Sequence, residues 1–261
     1  MIVAALGDVV HSRRYRDQVA LLRALDGVLR RVNDEVAAIE PLHLTVRDEF
    51  QGSFPSIAVA VEAALRLRLA AGEVVLTTDD DVEEPLDVRL GLGTGHELRG
   101  DDLVGQSGSA WWLARDALDA AFSLPSKTHW PPSIRVVHRS DDMAEQGAIN
   151  AFLLCQDQLF ARMDARDRRA LRGLLDGERQ IDVATELGIT QPAIARRLRD
   201  RGALAIKRGL ESLRAADVDP DPEPGPVSSL LATPSHTASH PFQRPPAATP
   251  TAQLRTRNRH G

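Results

Sequence analysis

The run from Gln180 to Leu198, QIDVATELGITQPAIARRL, limits what this chain can fold into more than any other segment. Its spacing predicts a helix-turn-helix over 180–198. Ala184 sits where the first helix must pack close to the second. Gly188 falls at the sharp turn, where a left-handed backbone needs no Cβ. Thr190 stands at the cap position of the second helix, and Pro192 is tolerated in its first turn. Val183, Leu187, Ile189, Ile194 and Leu198 supply the apolar face that joins the helices. Gln191, Ala193, Arg196 and Arg197 are then expected to point outward. In a DNA-binding motif of this kind the second helix enters the major groove with its N-terminal residues on base edges.

Composition narrows the partner class. The chain has 261 residues and a formal net charge of -5, so any contact with double-stranded DNA must be a local basic patch. Arg196, Arg197, Arg199, Arg201, Lys207 and Arg208 form such a cluster, which favours phosphate contact over a merely solvated face. Aromatic residues make up 4%, so the core must lean on Leu, Val, Ala and Ile. The single cysteine, Cys155, excludes an intramolecular disulfide and a cysteine-rich metal site, and is expected to pack as a small hydrophobe. No apolar run approaches the ~20 residues of a membrane span, and MIVAALGDVV acquires Asp8 too early for a signal peptide. A cytoplasmic protein is expected.

Periodicity predicts two folded regions. A short apolar strand covers 2–7. A helix from Tyr15 to about Glu35 carries Val19, Leu22, Leu25, Val28, Leu29 and Val32 on one face. His43 to Phe54 reads as strand, tight turn and returning strand, and Pro55 opens a helix with Val59, Val61, Leu65 and Leu67. Leu86–Thr94 is a strand, Ser109–Leu124 a helix and Ile134–His138 a last strand. The order β-α-β-β-α-β-α-β predicts an α/β sandwich of ferredoxin-like or palm type over 1–139, with a mixed or antiparallel sheet. From 141 to 214 the pattern is helical only: about 143–163, 165–176, the helix-turn-helix, and a last helix through Leu204, Ile206, Leu210 and Leu213. From 215 to 261 prolines lie among Ser, Thr, Ala and Asp, a composition that predicts a disordered tail.

Two segments of the first region put carboxylates beside strand ends: Gly7-Asp8, and Arg47-Asp48-Glu49. Neighbouring strands would bring Asp8 and Asp48 to one edge. Two aspartates so placed can hold Mg²⁺ or Mn²⁺ together with substrate phosphates. The same residues have plainer uses, as a helix cap and as a hairpin turn. Ser107-Gly108-Ser109 suits either a phosphate-cradling turn before a helix or a simple turn. His11 and His43 have no partner that would make them acid–base groups. Trp111 and Trp112, on a helix in an aromatic-poor chain, are expected as core anchors rather than base-stacking platforms.

A third segment, Arg89-Leu-Gly-Leu-Gly-Thr-Gly95 followed by a helix with Arg115, adds a resemblance. In this order the three segments resemble the palm domain of class III nucleotidyl cyclases and diguanylate cyclases. The resemblance implies a metal-binding Asp8 and Asp48, a phosphate-stabilising Arg115, a nucleotide ligand and a homodimer. Trp111 stands where a cyclase usually has Asn, Leu44 where it has Lys, and Arg47 where it has Gly. GDVVHSRR, DEFQG, GLGTG with WWLAR, and the C-terminal helix-turn-helix together resemble the SatD family over about 1–212. The expected function is therefore a DNA-binding regulator whose palm-like domain senses a nucleotide or other phosphate ligand. Its base- and phosphate-contacting residues would be Thr190, Gln191, Ala193, Arg196, Arg197 and Arg199, and its ligand contacts Arg115, Ser107 and Ser109. A metal-dependent nucleotidyl-transferring or nucleotide-hydrolysing enzyme is the alternative, as is a helix-turn-helix that docks protein.

Overall fold

The structure is a computed structural model that describes residues 1–98 and 107–218. Its first part runs β1 (Ile2–Val9), α1 (Gln18–Glu35), β2 (Glu40–Leu44), β3 (Phe50–Phe54), α2 (Ile57–Ala71), β4 (Val75–Thr77), β5 (Glu83–Pro85), β6 (Val88–Gly95), α3 (Ser109–Ser123) and β7 (Val136–Ser140). Five helices follow: α4 (Met143–Ala161), α5 (Ala165–Leu175), α6 (Gln180–Glu186), α7 (Gln191–Asp200) and α8 (Ala203–Val218). The main sheet has the order β2-β3-β1-β6-β7. β1 is antiparallel to both β3 and β6, while β6 and β7 run parallel, so the sheet is mixed. The β4–β5 hairpin has no counterpart in the periodicity. Its strands are three residues each, too short to alternate visibly, and its turn is carried by Asp81 at φ 60°.

Local chemistry explains where the helices begin and which face they bury. α1 starts at Gln18 because the Asp17 carboxylate accepts hydrogen bonds from the N–H groups of Val19 and Ala20, both at 2.9 Å. That start turns Leu21, Leu25, Val28, Leu29 and Val32 inward. Val19, expected on the core face, is exposed instead. On α4 the inward face is Ile149, Leu153, Gln156, Asp157 and Phe160, which leaves Cys155 exposed rather than packed. α8 continues to Val218, past the expected start of the tail at 215. The rest of that tail lies outside the described residues.

α2 is the central element. One side meets β1, β3 and β6, and the others meet α1, α5 and α8. Fourteen of its fifteen residues are buried, including Glu62, Arg66 and Arg68. Leu65 and Leu92 consequently share one buried cluster with Leu171, Leu198 and Leu210 from the C-terminal helices. The described residues belong to a single compact unit.

α3 covers the opposite face of the sheet. Gly91, Gly93 and Gly95 alternate along β6 and leave room for it. A Cβ on Gly93 would stand 2.2 Å from the carbonyl oxygen of Ala110 and 2.3 Å from the nitrogen of Ala114. Helix backbone therefore lies directly on strand backbone, and Ala110, Ala114 and Ala117 keep the helix side of the contact small. At the far edge, α4 closes β7 with side chains in place of another strand. Asp157 accepts from the N–H groups of Arg135 and Val136 at 2.7 and 3.0 Å. Asn150 exchanges two 2.9 Å bonds with the backbone of His138, and Gln146 accepts from Ser140 N–H at 3.2 Å.

Gly93→Val should push α3 off the sheet. We expect a loss of roughly 3 kcal/mol of stability, read as a lower urea midpoint at unchanged slope. A variant as stable as wild type would refute the backbone contact.

Candidate functional site

The sheet register builds the candidate site. Gly7 pairs with Phe50 and Asp8 with Arg89, so Glu49 at the mouth of β3 falls level with Asp8. Side chains alternate along a strand. Ile2, Ala4 and Leu6 pack under α3, and Asp8 continues that face. Arg89 lies on the same side, with its guanidinium 4.5 Å from the ring centre of Phe122 at the end of α3.

Arg89 grips Asp8 with two donors. Its Nε donates to Oδ1 at 2.5 Å and its Nη2 to Oδ2 at 3.2 Å. Burial nevertheless holds the Asp8 carboxyl above its ordinary range, against the hydrogen bond and charge of Arg89. Asp48 and Glu49 add repulsion, which places both within electrostatic reach of Asp8. Asp48 and Arg47 sit in the tight β2–β3 turn, where Thr45 N–H donates to Glu49 O at 2.9 Å and Arg47 takes φ 58°. Arg115 reaches across from α3, its Nη2 donating to Glu49 Oε2 at 3.1 Å. Both partners of that pair are 45% exposed, so it holds Arg115 weakly.

Three carboxylates and two guanidiniums thus gather at one end of the sheet beneath α3. Oxygen donors of this kind suit Mg²⁺ or Mn²⁺. The arrangement does not fit a metal as it stands, because Asp8 spends both oxygens on Arg89. Among the described residues no group of three or more His, Cys, Asp and Glu is gathered so as to hold one. The charge a metal would bring is already supplied to Asp8 by Arg89.

Other sequence-predicted residues lie elsewhere. Ser107 and Ser109 stand at the Gly95 end of β6, about 20 Å from Asp8 at ~3.3 Å per strand residue. Ser109 Oγ accepts from His96 N–H at 2.9 Å, and Ser107 O accepts from Leu98 N–H at 2.7 Å, which is turn chemistry. Gly108 between them takes φ 128°. His11 is exposed at φ 55°, and His43 Nδ1–H donates to Pro41 O at 3.0 Å. Trp111 is buried as expected, but Trp112 is 63% exposed on the outer face of α3. No helix among the described residues is long and apolar enough to cross a membrane.

In the C-terminal helices, α6 and α7 join through Gly188 at φ 64°, with Val183, Ala184, Ile194 and Leu198 buried between them. Thr190 is the cap residue of α7 by backbone conformation, but its side chain makes no cap hydrogen bond. Thr190, Gln191, Arg196 and Arg199 are exposed, and Ala193 is half-buried. Arg197 does not point outward. It turns back to Asp164 at 2.9 Å and to Asp167 at 2.6 Å. Asp167 closes the capping box of α5 and is 2% exposed, so its charge needs that cation.

In the sequence Arg89 stands in a glycine motif that gives it no role of its own. The available signal was a lone charge opening an apolar strand whose partner strand ends in Asp8. Arg89→Met should leave the Asp8 carboxylate unpaired in a partly buried position. The expected cost is about 2 kcal/mol in urea unfolding at neutral pH, relieved in the Asp8→Asn, Arg89→Met double variant. Full additivity of the two single changes would refute the coupling.

No protein-family model matches the chain, and no curated protein matches it. Several solved structures are similar over about half of it. The GGDEF domain of DgcB from Caulobacter crescentus, in complex with c-di-GMP, is 17% identical, covering 52% of this chain and 77% of that one, with a TM-score of 0.37. The guanylyl cyclase domain of the RhoGC fusion protein from Blastocladiella emersonii is 17% identical over 45% of this chain and 72% of that one, at a TM-score of 0.34. A bacterial light-regulated adenylyl cyclase is 12% identical over 52% of this chain and 42% of that one, at 0.36.

Proposed function

We propose that residues 1–139 form a palm-type domain that binds a nucleotide by its phosphates on the α3 side of the sheet. The chain acts there as a nucleotidyl-transferring or nucleotide-hydrolysing enzyme in the cytoplasm. The observation that carries this reading is the row Glu49–Asp8–Arg89 with Arg115 above it. Arg115 is tied only to an exposed carboxylate, so it can leave Glu49 for a phosphate at little cost. Arg89 and Phe122 keep Asp8 oriented beside it. The order of GDVVHSRR, DEFQG and GLGTG supports placing the chain beside the SatD family.

Calorimetry with nucleoside triphosphates, with and without Mn²⁺, tests the site. Wild type should bind, and Arg115→Gln should bind about tenfold more weakly. Absence of binding under both conditions would overturn the reading. A strict need for Mn²⁺ would overturn the reading that Arg89, rather than a metal, supplies the charge beside Asp8.

A second reading rests on a separate observation. Arg196 and Arg199 on α7 are exposed, as are Thr190 and Gln191 at its start. In this reading residues 141–214 use a helix-turn-helix on double-stranded DNA, as a homodimer regulated by the nucleotide. Arg196→Ala with Arg199→Ala should weaken duplex binding and lower its log–log salt slope by about 2. Binding unchanged across a salt titration would remove DNA as the partner and leave protein docking.

A further inference from the structure

A cavity of about 790 Å³ opens where the ends of α1 and α2 meet α5. Its wall includes Arg31, Gly72, Glu73, Arg168, Arg169 and Arg172. The volume lies within the range of small-molecule sites. It is remote in the fold from the carboxylate row, on the other side of the sheet.

Its arginines divide into two groups. Arg31 donates to Glu73 at 2.8 Å and to Glu35 at 3.3 Å. Arg169 donates to Glu178 and Glu186, each at 2.8 Å. Those two are satisfied. Asp176, a further acid of the wall, is taken by Arg66 at 2.5 Å.

Arg168 and Arg172 are not satisfied. The Arg168 guanidinium makes no ion pair or hydrogen bond among the described residues, and its buried Nε lacks a partner. Its guanidinium rests 4.6 Å from the ring centre of Phe160, next to Gly72 at the end of α2. Arg172 is 5% exposed, yet none of its guanidinium nitrogens makes a hydrogen bond. Its charge partners are Glu73 at 3.1 Å and Glu35 at 3.6 Å, with Asp176 also in electrostatic reach. Buried polar groups are almost always hydrogen-bonded, and a guanidinium offers five donors. Burial pulls both groups below the usual guanidinium range, against the pull of the nearby carboxylates.

We infer that this cavity binds a small polyanionic molecule, whose phosphate or carboxylate oxygens are taken by Arg168 and Arg172. Such a ligand touches α1 and α2 on one side and α5 on the other. It would therefore tighten the seating of the C-terminal helices on the sheet-bearing part.

Calorimetry and thermal unfolding of the full chain test this, with pyrophosphate and citrate as separate probes. One probe should bind and raise the unfolding midpoint. Pyrophosphate alone would assign phosphate chemistry, and citrate alone carboxylate chemistry. Arg168→Gln removes no ion pair, so it should fold as wild type while binding at least about tenfold more weakly. Arg168→Lys should recover part of the loss. The inference fails if neither probe binds or if Arg168→Gln binds as wild type. It also fails if Arg115→Gln, at the separate carboxylate row, is the change that abolishes binding.

Discussion

Asp157 holds the architecture together from a position with no exposed surface. It lies on α4, pairs with Arg68 of α2, and accepts the N–H groups of Arg135 and Val136 at the edge of the sheet. One carboxylate thus ties three layers. The pair is not a source of stability against an apolar replacement, since desolvation offsets most of the attraction. Removing one partner is another matter, because a lone buried charge costs about 3–5 kcal/mol. A second network does similar work nearby. Arg66 of α2 meets Glu62, Glu35 of α1 and Asp176 at the end of α5, and Arg214 of α8 meets Glu62. Apolar packing alone tolerates sliding, whereas these paired charges accept only one seating of the C-terminal helices on α2.

The consequence for function is a division of surfaces. Helices α1 and α2 lie on one side of the sheet, and α5 and α8 pack on α2. α3 covers the other side at β1, β6 and β7, close enough to touch backbone through Gly91, Gly93 and Gly95. The carboxylate row opens at the end of that second side. Its charges are balanced in pairs, Asp8 with Arg89 and Glu49 with Arg115. The two pairs differ in strength for a physical reason. Asp8 and Arg89 are sheltered by Phe122 and the strands, while Arg115 and Glu49 compete with water.

Much of the fold was legible in the sequence. The strand at the N-terminus, the β2–β3 hairpin and the helices from 143 onward follow from spacing and caps, which are local. The errors share a cause. Val19 and Cys155 have the right polarity for a core, but Asp17 and the edge of β7 set the helix faces otherwise. Nothing local marks Arg68 and Asp157 as a buried pair, because 89 residues separate them, and the Asp176 partner of Arg66 lies 110 residues away. Arg197 read as an outward charge for the same reason, its partner being the α5 capping residue Asp167.

The sequence by itself determined the elements other than the short β4–β5 hairpin, the glycines of β6, and the carboxylates at two strand ends, because each depends on spacing of a few residues. Tertiary structure alone decided which charges are paired. Sheet register set Asp8 against Arg89 and Glu49, and packing around α2 buried arginines that no periodicity marks as interior. Pairing depends on distances between segments far apart in the chain, and those distances exist only once the sheet has chosen its register.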